Sequence, residues 1–263
     1  MPPLADKRRC NVAINFAEIQ FMNNVSLSAK NIPAHERLIV ALDVPSVDEA
    51  KRLVGSLGDS VSFYKLGLEL FMSGNYFDLV DTLVRADKKV FADLKFFDVP
   101  ETVRSAVRGL RNRGVTFATV HGNQAIMEAA GADKGEVKIL AVTVLTSLDR
   151  GDLDDLGFQC DVEKLVLSRA RRALAAGCDG VISSGLEAPM LKQELGERVM
   201  VVTPGIRPVE NRPRDDQKRT VDVAQAFRNG ADYIVVGRPI RQAADARAAA
   251  EQIQTTIATV FAA

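Results

Sequence analysis

The side chains that most often hold transition metals are scarce in this sequence. Its 263 residues include only two histidines, His35 and His121, and three cysteines, Cys10, Cys160 and Cys178. No C-x-x-C spacing occurs, so neither a zinc site nor a disulfide framework is expected, and the sparse thiols are those of a reduced, cytosolic protein. Two histidines also leave a His-rich metal centre or a Ser-His-Asp triad poorly supplied. Net charge is absent as well, with 34 Lys and Arg against 34 Asp and Glu. A general nucleic-acid surface needs an excess of cations to neutralise phosphates and is not expected here. A local basic site for a small anion stays compatible with zero net charge. No apolar run reaches the ~18 residues of a membrane-spanning helix. Lys7-Arg8-Arg9 is not followed by a continuous apolar stretch, so the first thirty residues do not read as a secretory signal.

What is present is a rhythm. Residues 1–36 are polar, Asn-rich and without sustained period, and read as an N-terminal extension, partly disordered or lying on the surface. From Arg37 to Ala263 short β-rich runs alternate with helical patterns. The strand candidates are 38–43, 61–66, 89–95, 116–120, 137–144, 180–183, 199–203 and 233–236, bounded by Gly, Pro, Asp or Ser. Between them, Val47–Leu57 opens after the N-cap candidate Ser46, Glu101–Arg113 opens after Pro100, and Ala243–Thr259 closes the chain. Eight β-α units in ~225 residues predict an α/β fold of the (β/α)8 TIM-barrel class, an eight-stranded parallel barrel. A doubly wound open sheet fits less well, because no G-x-G-x-x-G follows the first strand.

Charges stand where strand ends are usually apolar. Asp43 ends the first strand, Lys65 nearly ends the second, and Asp93 and Lys95 end the third. Residues at i and i+2 share a strand face, so Asp93 and Lys95 are expected to point into the barrel mouth together. Asp98 follows at the turn. Any one of these charges reads equally as a structural ion pair. Four together, two lysines and two aspartates, are the composition of an electrostatically preorganised pocket. After the seventh and eighth strands come Pro204-Gly205-Ile206-Arg207-Pro208 and Gly237-Arg238-Pro239. Loops at these positions in barrels often bind phosphate, with glycine allowing close backbone approach and arginine forking onto two oxygens. Gln217 lies in the long charged loop 207–220 as a neutral donor.

Asp93-Leu94-Lys95-Phe96-Phe97-Asp98 resembles the D-x-K-x-x-D signature of the orotidine 5′-phosphate decarboxylase family. That signature alone belongs to a wider suprafamily. The ordered set with LIVALDVP at 38–45, FYKLGLELF at 63–71, VLTSL at 144–148, VTPGIRP at 202–208 and YIVVGRP at 233–239 is specific. The resemblance implies decarboxylation of orotidine 5′-monophosphate to UMP, the last step of de novo pyrimidine nucleotide synthesis, with no cofactor and no metal. It implies that Lys65, Asp93 and Lys95 form the charged array, completed by Asp98 across a homodimer interface, with Lys95 as proton donor to C6. It implies that Asp43 binds the ribose, that Thr102 reaches the partner's substrate, and that Thr146 and Ser147 contact the base. Arg207, Gln217, Gly237 and Arg238 would hold the phosphate. The family often has His where Phe97 stands.

Two competing readings remain at this point. Sister enzymes, Mg-dependent sugar-phosphate decarboxylases or aldolases, share D-x-K-x-x-D but resemble one another in placing an acidic ligand where Lys65 stands. A non-catalytic phosphoribosyl-ligand barrel would need the phosphate loops and not the charged array. His121 reads as a packing or supporting residue. The acidic stretch Asp149–Asp155 reads as an exposed loop without the spacing of a calcium site.

Overall fold

Eight short strands pair in parallel in sequence order, and the last closes on the first. They are β1 (Leu38–Ala41), β2 (Phe63–Gly67), β3 (Lys89–Phe96), β4 (Val115–Val120), β5 (Lys138–Val142), β6 (Gly180–Ile182), β7 (Met200–Thr203) and β8 (Tyr233–Val236). The structure is a computed structural model and describes residues 27–207 and 219–262. Alternation along each strand sorts side chains into two apolar layers. Leu38, Val40, Tyr64, Leu66, Val90, Ala92, Ala118 and Ile139 pack outward against the helices. Ile39, Phe63, Phe91, Phe117, Leu140, Met200 and Tyr233 fill the barrel interior. Phe117 meets Phe63 at 5.1 Å and Tyr233 at 5.2 Å between ring centroids. Each fully buried Phe stabilises the fold by about 1.5–3 kcal/mol, so the lower interior is a solid core and not a channel.

Helix ends follow local chemistry. Val47–Leu57 starts where the Ser46 hydroxyl accepts from the Glu49 amide at 3.2 Å. Pro100–Arg108 carries its proline in the first turn and stops five residues short of the pattern's Arg113. The chain then turns through Asn112 and Gly114, both at positive φ. A Cβ at Gly114 would lie 2.5 Å from the Val84 side chain, so the turn and the packing both require glycine. The acidic stretch departs from its expected loop. Arg150–Asp155 is a helix, with the Asp149 carboxylate accepting from Gly151 and Asp152 while Asp152 returns a bond to the Asp149 amide. This capping box, with Leu153 buried beneath, satisfies the first-turn donors. Among the described residues no helix is long and apolar enough to cross a membrane.

The end of the barrel away from the site is closed by residues that the pattern placed in the extension. Ile32 packs under the interior layer. The fully buried Asp232 carboxylate accepts from Lys192 Nζ at 3.0 Å, from the Val201 amide at 2.7 Å and from the Ser28 hydroxyl. Lys30 Nζ lies 3.5 Å from the same carboxylate, and the Arg37 guanidinium donates to the Asp232 and Lys30 carbonyls. Removing one member of a buried pair leaves the other uncompensated, which costs about 3–5 kcal/mol. Asp232→Ala is therefore expected to lose about that much stability in a urea titration. A loss below about 1 kcal/mol would mean that the cluster is effectively solvated.

Candidate active site

The inward series of the first four strands stays apolar through the lower barrel and becomes polar at its C-terminal end. Ile39 and Ala41 are followed by Asp43, Phe63 by Lys65, Phe91 by Asp93, and Phe117 by Thr119. Parallel pairing sets Ala41 beside Lys65, Lys65 beside Phe91, and Gly67 beside Asp93. The charged ends therefore meet in one layer just above the aromatic one. Lys65 Nζ lies 2.9 Å from Asp43 Oδ1 and 3.3 Å from Asp93 Oδ2, and Lys95 Nζ lies 2.9 Å from Asp93 Oδ1. The result is a line of alternating sign, Asp43–Lys65–Asp93–Lys95. Gly67 keeps it open, since a Cβ there would stand 3.2 Å from both Asp43 Oδ1 and Lys65 Nζ.

Alternation is what makes this burial tolerable. An isolated buried ion costs several kcal/mol, and each inner member here has an opposite charge on both sides. Burial alone would favour neutral Lys65, but Asp93 and then Asp43 outweigh it and hold the ammonium's pKa above the ordinary lysine value. Burial likewise pushes toward protonated Asp93, yet Lys65 and Lys95, with hydrogen bonds from Lys95 and Thr119, hold its pKa below the usual carboxylate range. Both groups are charged at neutral pH.

Lys95 reaches the line by a route that simple alternation does not describe. The β3–β4 register breaks between Ala92 and Phe96, and Lys95 has φ of +48°. A non-glycine residue in the left-handed region costs about 1–2 kcal/mol. The Lys95 amide leaves the strand ladder and donates to Thr119 Oγ1 at 2.9 Å, and the Thr119 hydroxyl donates to Asp93 Oδ1 at 2.9 Å. Leu94 and Phe96 still pack outward.

Above the line opens a cavity of about 250 Å³. Nine expected site residues line it: Asp43, Lys65, Asp93 and Lys95 on one side, Thr146 and Ser147 on a second, Arg207, Gly237 and Arg238 on a third. Arg207 is held by its amide on the Val221 carbonyl at 3.0 Å, across the bridge from Ile206 to Val221. Asp98 and Thr102 are exposed and do not line the cavity; the Asp98 carboxylate accepts from the Val99 amide. Gln217, and most of the 207–220 loop, lie outside the described residues.

Three residues of the site went unnoticed in the sequence. Thr119 was visible as the one polar residue of an otherwise apolar strand end. Arg241 lines the cavity one turn after Arg238, a spacing of three that sets both on one helical face. Arg219 left no local signal. Its guanidinium pairs with Glu187 and donates to the Val144 and Leu145 carbonyls at 3.1 and 3.0 Å, fixing the turn that carries Thr146 and Ser147. His121 packs its ring on Phe97 at 5.3 Å, and burial, then Arg169 and Lys95, lower its pKa. Among the described residues no three His, Cys, Asp or Glu side chains gather as a metal site.

The family model described as orotidine 5′-phosphate decarboxylase / HUMPS family matches residues 36–253. The orotidine 5′-phosphate decarboxylase of Methylococcus capsulatus is 72% identical over 237 residues, 90% of this chain and 98% of the relative. That of Xanthomonas euvesicatoria is 54% identical over 86% of this chain and 93% of the relative. Among solved structures, orotidine 5′-phosphate decarboxylase from Lactobacillus acidophilus superposes with a TM-score of 0.74 at 34% identity, covering 84% of this chain and 99% of that one.

Proposed function

The chain belongs to the orotidine 5′-phosphate decarboxylase / HUMPS family, and on that premise we propose that it converts orotidine 5′-monophosphate to UMP and CO2, the closing step of pyrimidine nucleotide synthesis. The observation that carries this reading is the line Asp43–Lys65–Asp93–Lys95 of alternating charge, buried at its two inner members, on one wall of the cavity. Loss of CO2 from C6 of the pyrimidine leaves an electron pair on carbon with no carbonyl or imine to receive it. An ammonium at C6 stabilises that charge as it develops and then donates its proton, so the C–C bond is replaced by C–H. Lys95 takes this role. Asp93, itself anchored by Lys65, pairs with its ammonium and orients it, and the fixed charges need no reorganisation as the reaction proceeds.

The remaining roles follow the cavity's chemistry. Asp43, already bonded to Lys65, accepts from ribose hydroxyls. Thr146 and Ser147 read the pyrimidine edge. Arg207 and Arg238 bind the phosphate with the backbone at Gly237, and Gln217 joins them from the loop 207–220. Binding energy from the phosphate, remote from C6, holds the reacting end against Lys95.

Asp98 and Thr102 serve the partner's site in a homodimer. Support comes from the surface around them. Leu68, Phe71 and Met72 follow β2, Phe97 and Val99 follow β3, and all five are large, apolar and exposed, Met72 to 80%. Such a patch on adjacent strand ends is what a second copy would cover. We place the enzyme in the cytosol, where free Cys160 and buried Cys178 persist as thiols.

The Mg-dependent sister activities are not favoured. The high identity is to orotidine 5′-phosphate decarboxylases, and the residue expected to ligate on β2 is Lys65, whose ammonium has no lone pair. The test is a spectrophotometric assay with orotidine 5′-monophosphate in EDTA. Undiminished turnover is expected; turnover abolished by chelation and restored by Mg2+ would favour the sister class.

A further inference from the structure

We propose that Thr119 is a positioning residue of the decarboxylation: its hydroxyl locks the Lys95 backbone and the Asp93 carboxylate into the arrangement that aims the Lys95 ammonium at the substrate. The inference rests on the decarboxylase reading and deepens it.

Thr119 is fully buried and does not line the cavity, so it acts through other residues. A hydroxyl has one hydrogen to give and lone pairs to receive. Thr119 uses both. It gives its hydrogen to Asp93 Oδ1 and receives the Lys95 amide, each at 2.9 Å. The same Asp93 oxygen takes the Lys95 ammonium at 2.9 Å. These three bonds close a ring that runs through the Lys95 side chain. One atom, Thr119 Oγ1, therefore fixes both ends of the lysine.

The backbone explains why such a clamp is required. Lys95 sits at φ +48°, in the left-handed region, where a lysine does not rest unless its surroundings hold it. The β3–β4 ladder is interrupted there, so the Lys95 amide has no strand carbonyl to meet. Without Thr119 the amide would be a donor without an acceptor in a partly buried strand, and rotating the peptide would carry the ammonium off its line. Branching at Cβ restricts the threonine's χ1 and keeps the hydroxyl pointed at both partners.

Thr119→Val keeps shape and burial and removes both hydrogen bonds. Its kcat is expected to fall about 10- to 100-fold, the scale of one hydrogen bond to a charged group, with KM changed less than about 3-fold because no contact with substrate is lost. The pH profile gives a readout that packing alone would not move. Asp93 faces Lys65 from β2, Lys95 from β3 and Tyr76 from the helix Tyr76–Arg85, with Asp43 on the far side of Lys65 and His121 in the field of Lys95. Losing the Thr119 donor withdraws one stabiliser of the carboxylate, so the acid limb of kcat moves to higher pH. Thr119→Ser restores the hydroxyl and is expected within about 3-fold of wild type. Thr119→Cys, of serine's shape but a weak hydrogen-bonder, should follow valine and supplies the contrast if the valine variant does not fold.

Wild-type kcat and acid limb in Thr119→Val would overturn the proposal, as would equal losses in the serine and cysteine variants. No CO2 release by the wild type would overturn both this inference and the decarboxylase reading. Wild-type turnover with an unperturbed Thr119→Val overturns this one alone.

Discussion

Lys95→Ala is expected to lower the rate of CO2 release by about 10⁴-fold or more while UMP, the product, still binds within about tenfold of its wild-type affinity. Two contributions vanish with one side chain. An electrostatic donor aimed at developing charge is worth about 10²–10³ in rate, and a positioned general acid about 10²–10⁴. The low ends of the two ranges multiply to about 10⁴, the loss expected when both contributions go together. Binding survives because the arginines and Thr146–Ser147 stand on other walls of the cavity.

The substitution also has a pH signature. Asp93 has its folded-state pKa held below the unfolded value by Lys65 and Lys95. Its contribution to stability is therefore complete above the unfolded carboxylate pKa and is lost as pH falls through the lowered folded one. Removing Lys95 raises the folded value back toward the unfolded one, so the variant loses part of that contribution and unfolds at a higher pH on acidification. The measurement is single-turnover CO2 release beside a nucleotide-binding titration. A kcat within about tenfold of wild type would remove Lys95 from the chemistry.

Mixing two inactive variants should restore activity. If Asp98 serves the partner's cavity, Lys95→Ala and Asp98→Ala homodimers each carry two defective sites. A mixed dimer carries one site with both defects and one with neither. Equal mixing makes half the dimers mixed, so about a quarter of wild-type activity returns after subunit exchange. The expectation is supported by the placement of Asp98 within one chain. Asp98 is exposed and absent from the cavity lining, although it is only three residues beyond Lys95. If each Asp98 instead served its own cavity, every site in the mixture would remain defective and no activity would return. Dimers that fail to exchange at first can be unfolded together and refolded, so silence after co-refolding would count against the interface role.

These expectations draw on two kinds of information, and particular residues show the boundary between them. Asp43, Lys65 and Asp93 were legible because period-2 alternation in a parallel strand assigns each residue a face. Charges at inward, C-terminal positions can only meet one another. The place of Arg207 and Arg238 in the cavity lining was legible for a similar reason, since the loops after the last two strands open at the barrel mouth. Lys95 was legible in its destination and not in its path. A left-handed residue inside a strand has no local sequence mark unless it is glycine. Thr119 showed its inward polarity but not its role, and Arg219 showed neither, because their partners lie 24 to 75 residues away in the chain.

The sequence by itself determined the barrel, its order and the chemical character of its mouth. Repeating β-α units bury apolar strands on both faces only by closing or by layering, and eight of them close. Tertiary structure alone decided how the charges neutralise one another. A buried ion is stable only with an opposite charge at about 3 Å, and such distances arise from strand register, from the bulge at Lys95 and from the space left at Gly67. It also decided that residues 27–36 belong with the barrel floor, because Asp232, fully buried, takes its hydroxyl donor from Ser28 on the far side of the chain.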